Sequence, residues 1–274
     1  MNNIGGMFKG IVLMGGLFSH FFLHAQTLTS ELESLQESSK VFVRGDVSFY
    51  SSNEVTQSQG ANQLMEAVLN VDYKTSAGKL YLKLSGHQDL SSSQQKTQMN
   101  NTSFGLSLNP IKLSESVLLI QKFYGYLPTN EDSRKLESFQ TAAGGSSLFY
   151  YSHPLASFYY RFNAKKNSHQ FSQNSSAEFN ISHSVDNLLG AEITRGKWTL
   201  NLDTQYLTAW NYNNRLKATY LLAQTLSYQA SSAVTLSLGH YHQSEAFKAN
   251  GTENNFKLFD VRTSYIYAGI SIRN

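Results

Sequence analysis

One histidine and one serine, two residues apart, have a spacing that suits catalysis: His242 and Ser244. They lie in a segment where apolar and polar residues alternate, and residues i and i+2 of a β-strand point to the same side. A serine beside a histidine can act as nucleophile and general base, provided that a third group such as Glu245 or Asn255 orients the imidazole. A simpler interpretation is that His242 belongs to an aromatic region beside Tyr241.

Charged residues recur on the polar faces of alternating segments, and both signs are present in similar number. If these segments form a barrel, the predicted pore-lining residues are Arg44, Asp46, Glu66, Asp72, Lys74, Lys83, Arg161 and Asp203. Four others have weaker patterning: Lys122, Lys217, Asp260 and Arg262. Mixed charges inside a barrel can set a transverse field across an aqueous pore. They can equally pair with one another and fill the lumen, and the sequence leaves both interpretations open.

Several other kinds of chemistry are excluded or lack a motif. The chain has no cysteine, which excludes disulfides, a thiol nucleophile and a cysteine-ligated metal. The remaining histidines are scattered without ligand spacing, and no glycine-rich phosphate loop opens a helix, so no metal or cofactor is predicted. The net charge of +3 comes without a basic run, which argues against nucleic acid as a partner.

The composition is typical of a protein whose outer surface does not face water. Charged residues make up only 15% of the chain, whereas aromatic residues reach 13%. Yet the mean hydropathy is −0.34, so the apolar residues must alternate with polar ones.

The first residues have the layout of an export signal. Lys9 precedes an apolar stretch from Ile11 to Phe22, and Leu23-His24-Ala25 offers a cleavage site. We therefore predict a signal peptide over residues 1–25, with an uncleaved anchor helix as the alternative. Residues 26–40 are polar and are predicted to be a periplasmic N-terminal segment, with a plug inside the barrel as the alternative.

From Val41 onward the hydrophobic pattern has a period of two. Val41, Val43 and Val47 alternate with Arg44, Asp46 and Ser48, and similar alternation recurs to the end of the chain. Such alternation means that each strand has one apolar and one polar face.

Short and long connections alternate between these segments. Short turns are predicted near residues 76–78, 109–112, 152–154, 195–197 and 230–232, and longer polar stretches lie between them. Transmembrane barrels have this asymmetry, with tight periplasmic turns and longer outer loops. The pattern predicts about 12 strands with both ends on the periplasmic side, and the weak patterning of residues 138–151 and 175–195 leaves about 10 or 14 open.

Aromatic residues cluster near the predicted strand ends and indicate rings at both membrane interfaces, with the core of a soluble sandwich as the alternative. The residues concerned include Tyr124, Tyr126, Tyr206, Tyr241 and Tyr265.

The final segment, SYIYAGISIRN, resembles the closing strand of Gram-negative outer-membrane proteins. Those strands often end in glycine, alternating apolar residues and a terminal aromatic. Gly269, Ile270 and Ile272 match this layout, whereas the last residue is Asn274. The resemblance is to the class, and it implies a location in the outer membrane among its lipids.

His242-Gln243-Ser244 is similar to the His-x-Ser arrangement of outer-membrane phospholipase A and lipid A deacylases. That resemblance implies a serine nucleophile and a histidine base facing the outer leaflet.

Together these features predict an all-β, antiparallel transmembrane barrel over residues 41–274. The predicted function is a porin-like channel for passive diffusion of small hydrophilic solutes. A structural or adhesive envelope barrel with a filled lumen, acting with a protein partner, is the first alternative. A lipid hydrolase that uses His242 and Ser244 is the second.

Overall fold

The computed structural model describes residues 40–52, 63–91, 97–247, 253–260 and 263–274. The predicted signal peptide, residues 1–25, lies outside the described residues, as does the predicted N-terminal segment apart from Lys40. Within the described part of the chain, no helix has both the length and the apolar character needed to span a membrane.

Within the described residues the chain forms fourteen β-strands and one short helix. The strands are β1 (Val41–Ser52), β2 (Gln63–Lys74), β3 (Gly78–Asp89), β4 (Thr97–Met99), β5 (Thr102–Leu108), β6 (Ile111–Lys112), β7 (Val117–Leu127), β8 (Phe139–Ser152), β9 (Ser157–His169), β10 (Ile181–Arg195), β11 (Trp198–Asn211), β12 (Leu216–Gln229), β13 (Val234–Glu245) and β14 (Ser264–Arg273). The helix, α1 (Glu131–Lys135), lies between β7 and β8, and the side chain of Asn130 caps it by accepting a bond from the Ser133 N–H.

Three of these strands are parts of one barrel strand. Both β4 and β5 pair with β3, and both β5 and β6 pair with β7. The breaks fall at residues 100–101 and at Asn109-Pro110, where proline has no N–H to donate to the ladder. Counted in this way the described residues form twelve antiparallel barrel strands, which confirms the predicted number.

The sheet closes because the first strand pairs with the last. Arg44 lies opposite Arg273 and Ser52 lies opposite Tyr265 along the β1–β14 ladder. Closure leaves no free strand edge, as a barrel needs in a medium without water to bond the backbone. The start of β1 and the end of β14 meet at the same end of the barrel, where the Asn274 N–H donates to the Val43 carbonyl at 3.2 Å.

The connections alternate between short and long as predicted. Short turns occupy residues 75–77, 113–116, 153–156, 196–197 and 230–233, on the same side as the start of β1 and the end of β14. The turn predicted at residues 109–112 was wrong by a few residues. Ile111 and Lys112 still pair with β7, and the turn closes through the Leu113 N–H to the Val117 carbonyl at 2.9 Å.

Residues 181–195 form one strand, in the region where weak patterning left either one long strand or an extra hairpin open. The strand β10 pairs with β9 and β11 along its length, with a single register irregularity between Ile181 and His183. The polar run near Asp186 therefore lies in the middle of a strand, and an extra hairpin is excluded.

Each strand presents apolar residues outward and mostly polar residues inward. In β2, Met65, Leu69 and Tyr73 are exposed on the outer surface, whereas Glu66 and Asp72 are buried. The outward residues form an apolar belt, which suits contact with the lipid of a membrane.

The aromatic residues divide between the two faces, so the prediction that they all form interface rings was partly wrong. Phe149, Phe158 and Tyr206 are exposed on the outer surface. By contrast, Tyr241 is buried inside the barrel, where it packs in a cluster with Tyr50, Leu221 and Tyr267. A period of two decides the face of each residue, and a cluster of neighbouring aromatics necessarily contributes to both faces.

Leu69→Lys places a charge in the middle of the apolar belt, where lipid would surround it. We expect this substitution to lower the free energy of unfolding by about 2–4 kcal/mol. The measurement is urea unfolding of the protein inserted in phospholipid vesicles. The control is Leu113→Lys, the same substitution in an exposed short turn, which should change the free energy by less than about 0.5 kcal/mol. Equal effects of the two substitutions would contradict the assignment of Leu69 to lipid.

Candidate functional site

The barrel interior collects the residues that the sequence predicted to line a pore. All eight occupy inward positions: Arg44 and Asp46 on β1, Glu66, Asp72 and Lys74 on β2, Lys83 on β3, Arg161 on β9 and Asp203 on β11. Lys122 and Lys217 also occupy inward positions, on β7 and β12. The strand alternation therefore brings these charges to one face, while their role in a pore stays a prediction.

Strands β1, β2, β3 and β7 carry the first charged arc of the inner wall. Here Arg44 Nε lies 3.0 Å from Asp46 Oδ2, and Lys79 Nζ lies 3.1 Å from Asp72 Oδ2. The Tyr50 hydroxyl donates to Glu66 at 3.4 Å. The charges of this arc therefore lie mostly beside a partner of opposite sign.

Lys83 lies in the middle of the first charged arc. It is within electrostatic reach of Glu66, Lys122 and Arg44. Its ammonium group thus has both an acidic and a basic neighbour on the same wall.

Strands β9, β10 and β11 carry a second charged arc, centred on Asp186. This carboxylate accepts from Gln205 at 2.6 Å, from Asn163 at 3.3 Å and from Arg161 at 3.3 Å. The prediction missed Asp186 because the alternation is weak over residues 175–195. It also omitted Lys79, Lys165 and Glu192, which occupy inward positions as well.

The two arcs face each other across the barrel. In the ring of strands, β3 and β11 are on opposite sides, which sets Lys83 against Asp203. The wall between the arcs, formed by β12, β13 and β14, carries Thr225, Ser227 and Ser237 at buried inward positions. A solute inside this barrel would meet charged walls on two sides and a hydroxyl-rich wall on a third.

Tyrosine rings lie flat against glycines of the adjacent strand. The four tyrosine–glycine pairs are Tyr81–Gly105, Tyr124–Gly144, Tyr159–Gly190 and Tyr267–Gly239, each directly opposite in the ladder. A Cβ atom at Gly190 would lie 2.2 Å from the Tyr159 ring, and one at Gly239 would lie 2.3 Å from the Tyr267 ring. Only glycine therefore leaves room for the ring to lie on the wall.

Each of these tyrosines then interacts with the strand beyond its glycine. The Tyr124 hydroxyl donates to Asn163 and the Tyr159 hydroxyl donates to Asp203, both at 2.5 Å. The Tyr267 hydroxyl bonds to Thr225. The Tyr81 ring instead carries the Lys122 ammonium 4.1 Å above its centroid, a cation–π contact. The rings therefore tie three successive strands together, and they run along the wall instead of projecting toward the barrel axis.

The His242 and Ser244 pair does not form the arrangement expected of a hydrolase. His242 is fully buried; its Nε2 lies 3.1 Å from the Tyr220 hydroxyl and its Nδ1 lies 3.2 Å from Ser264 Oγ. Ser244 Oγ accepts a bond from Asn255 at 3.0 Å, and Glu245 pairs with Lys217 at 3.5 Å. The two candidate third groups thus bond elsewhere: Glu245 pairs with β12, and Asn255, in the connection after β13, bonds Ser244.

Two weaker site predictions also change. Asp260 lies in that same connection, outside the wall, where it pairs with Lys257 at 2.6 Å, so its assignment to the lumen was wrong. Arg262 lies outside the described residues. In the part of the chain that the structure describes, no group of three or more potential metal ligands comes together.

Solved structures with the same fold include outer-membrane channels. The chain is similar to an outer membrane channel from Pseudomonas putida F1, with a TM-score of 0.61 and 12% identity over 88% of this chain and 98% of the other. It is also similar to the KdgM porin, with a TM-score of 0.51 and 8% identity over 84% of this chain and 98% of the porin. No protein-family model and no curated protein matches the chain. The fold is thus that of an outer-membrane β-barrel, and the predicted location in the outer membrane agrees with it.

Gly190→Ala tests the packing of tyrosine on glycine. The added methyl group would displace the Tyr159 ring and its bond to Asp203, so we expect the free energy of unfolding to fall by about 1–3 kcal/mol. The measurement is urea unfolding in phospholipid vesicles. Gly45→Ala is the control, since a Cβ atom there has nothing within 4 Å. If the two variants unfold at the same urea concentration, the ring does not depend on the glycine.

Proposed function

We propose that this outer-membrane β-barrel is a narrow channel for the passive diffusion of small hydrophilic solutes. The observation that carries the proposal is the inner wall, where charges of both signs form two facing arcs and the tyrosine rings lie flat along the strands. The channel and the porin that share the fold are consistent with this role.

The facing arcs would act on a solute through an electric field across the lumen. Lys83 and Lys122 on one side and Asp186 and Asp203 on the other polarise the intervening space. Such a field orients dipolar solutes and attracts ions of either sign to opposite walls. The selectivity for ions and dipolar solutes would then depend on which wall charges lie nearest the barrel axis.

The channel would be narrow because the inner side chains are packed closely. Arg44, Asp46 and Glu66 have only 5%, 4% and 3% of their surface exposed. A charge that is held by a partner does not swing into the pore, so the wall keeps a defined shape. Small polar solutes fit such a lumen better than large ones.

The same burial supports a second candidate, a structural or adhesive barrel with a filled lumen that works with an envelope partner. Pairs such as Arg44 with Asp46 would then serve to neutralise one another. This candidate predicts a folded barrel that conducts no ions. Conductance therefore separates the two candidates.

Removing a positive charge from the first arc and removing a negative charge from the second arc should shift the ion selectivity of the channel in opposite directions. The protein without residues 1–25 is refolded and inserted in a planar bilayer, with a salt gradient across it. Lys83→Gln should shift the reversal potential toward cation selectivity, and Asp203→Asn should shift it toward anion selectivity, because each removes one wall charge.

Lys135→Gln is the matched control, since this lysine lies exposed on α1 and pairs with Glu131 at the outer surface. It should leave the reversal potential unchanged. If the folded protein conducts no ion current in the bilayer, the channel proposal is overturned and the filled lumen is favoured. Conductance steps whose reversal potential neither inner substitution changes would place the ion path away from Lys83 and Asp203.

A further inference from the structure

A segment of the connection between β13 and β14 lies on the outside of the barrel wall. Residues 253–260, here called the strap, begin with a bridge between Asn254 and Phe247. The Phe256 ring stacks on Tyr220 of β12 at 4.4 Å, and the Phe259 ring stacks on His240 of β13 at 5.6 Å. The strap therefore crosses two neighbouring strands near their outer ends.

Beneath the strap lies a polar cluster that faces outward. Tyr220, His242 and Ser264 share the outward face of β12, β13 and β14 with the exposed apolar residues Leu226, Leu238 and Ile266. All three polar residues are almost fully buried. On this face a bare hydroxyl or imidazole would point into lipid, where an unbonded polar group costs several kcal/mol.

The strap supplies the hydrogen bonds that this cluster needs. The Tyr220 hydroxyl donates to the Asn255 carbonyl at 2.9 Å and accepts from the Lys257 N–H at 2.5 Å. Ser264 Oγ accepts from the Asp260 N–H at 3.2 Å. The backbone of the strap therefore takes the place that water would have at a soluble surface.

The strap also carries three apolar side chains that stay more than half exposed, beside Lys257, which is paired with Asp260. Phe256, Leu258 and Phe259 have 56%, 74% and 54% of their surface exposed. These side chains continue the apolar belt formed below them by Leu238 and Ile266. In a folded protein such a patch needs an apolar partner.

We propose that the strap is a lipid-contacting element, which inserts Phe256, Leu258 and Phe259 among the acyl chains of the outer leaflet. Its backbone satisfies the polar cluster, and the exposed parts of these three side chains meet hydrocarbon. It lies at the end of the barrel with the long connections, which is the outer side. Its apolar surface is continuous with the lipid-facing belt, which favours acyl chains over a protein partner.

The test uses tryptophan fluorescence as a measure of depth. In a background of Trp198→Phe and Trp210→Phe, which removes both native tryptophans, Leu258→Trp places one reporter on the strap. The protein is refolded into vesicles of dioleoylphosphatidylcholine with or without its brominated analogue. We expect bromine on the acyl chains to quench this tryptophan strongly and aqueous acrylamide to quench it weakly.

Leu136→Trp in the same background is the matched control, because Leu136 is also an exposed apolar residue but follows α1 on the outer loops. It should show the reverse behaviour, with strong quenching by acrylamide and little by bromine. Adding Tyr220→Phe to the Leu258→Trp variant removes the hydroxyl that holds the strap and should raise acrylamide quenching. Folding of each variant is checked by its altered gel mobility without heating.

Two results would overturn the proposal. Quenching of the strap reporter by acrylamide alone would place the strap in water. Protection from both quenchers would show that protein, such as a second copy of the chain, covers Phe256, Leu258 and Phe259.

Discussion

The lack of water inside a membrane is the constraint on which this structure depends. Every backbone N–H and C=O in the wall must find a partner within the chain, and pairing β1 with β14 achieves this by removing both sheet edges. Closure then gives each strand an inside and an outside. Because side chains alternate along a strand, the same constraint sends Leu69 to the lipid and Asn70 to the lumen.

Inside the barrel, packing of tyrosine on glycine organises the charged wall. A ring on one strand covers a glycine on the next and reaches a polar group on the strand beyond, as Tyr159 does over Gly190 toward Asp203. Glycine in a strand costs stability through its backbone entropy, and the ring that covers it restores contact area. The same contact holds the aromatic ring against the wall and away from the barrel axis, as a channel would require.

The outer end of β12, β13 and β14 departs from the simple rule of apolar residues outside. Tyr220, His242 and Ser264 point outward, and the strap, residues 253–260, covers them. The polar groups that break the pattern are thus bonded by a segment that exposes the apolar side chains of Phe256, Leu258 and Phe259. The histidine and serine that suggested catalysis in the sequence are explained by this packing, since both ring nitrogens of His242 are bonded within the cluster and Ser244 is bonded to Asn255 of the strap.

Alternation and connection length determined the barrel and the inward position of residues such as Arg44 and Asp203, because these features depend only on the local period of two. Where the pattern was weak, as around Asp186, the sequence left the strand count open. Only the tertiary structure decided that Asp186 is a shared acceptor, that Tyr241 packs with Tyr50 and Tyr267, and that Asn255 bonds Ser244 and not His242. These are contacts between strands or loops that register and closure bring together. No local pattern in the sequence carries that information, because the partners are chosen by the geometry of the closed wall.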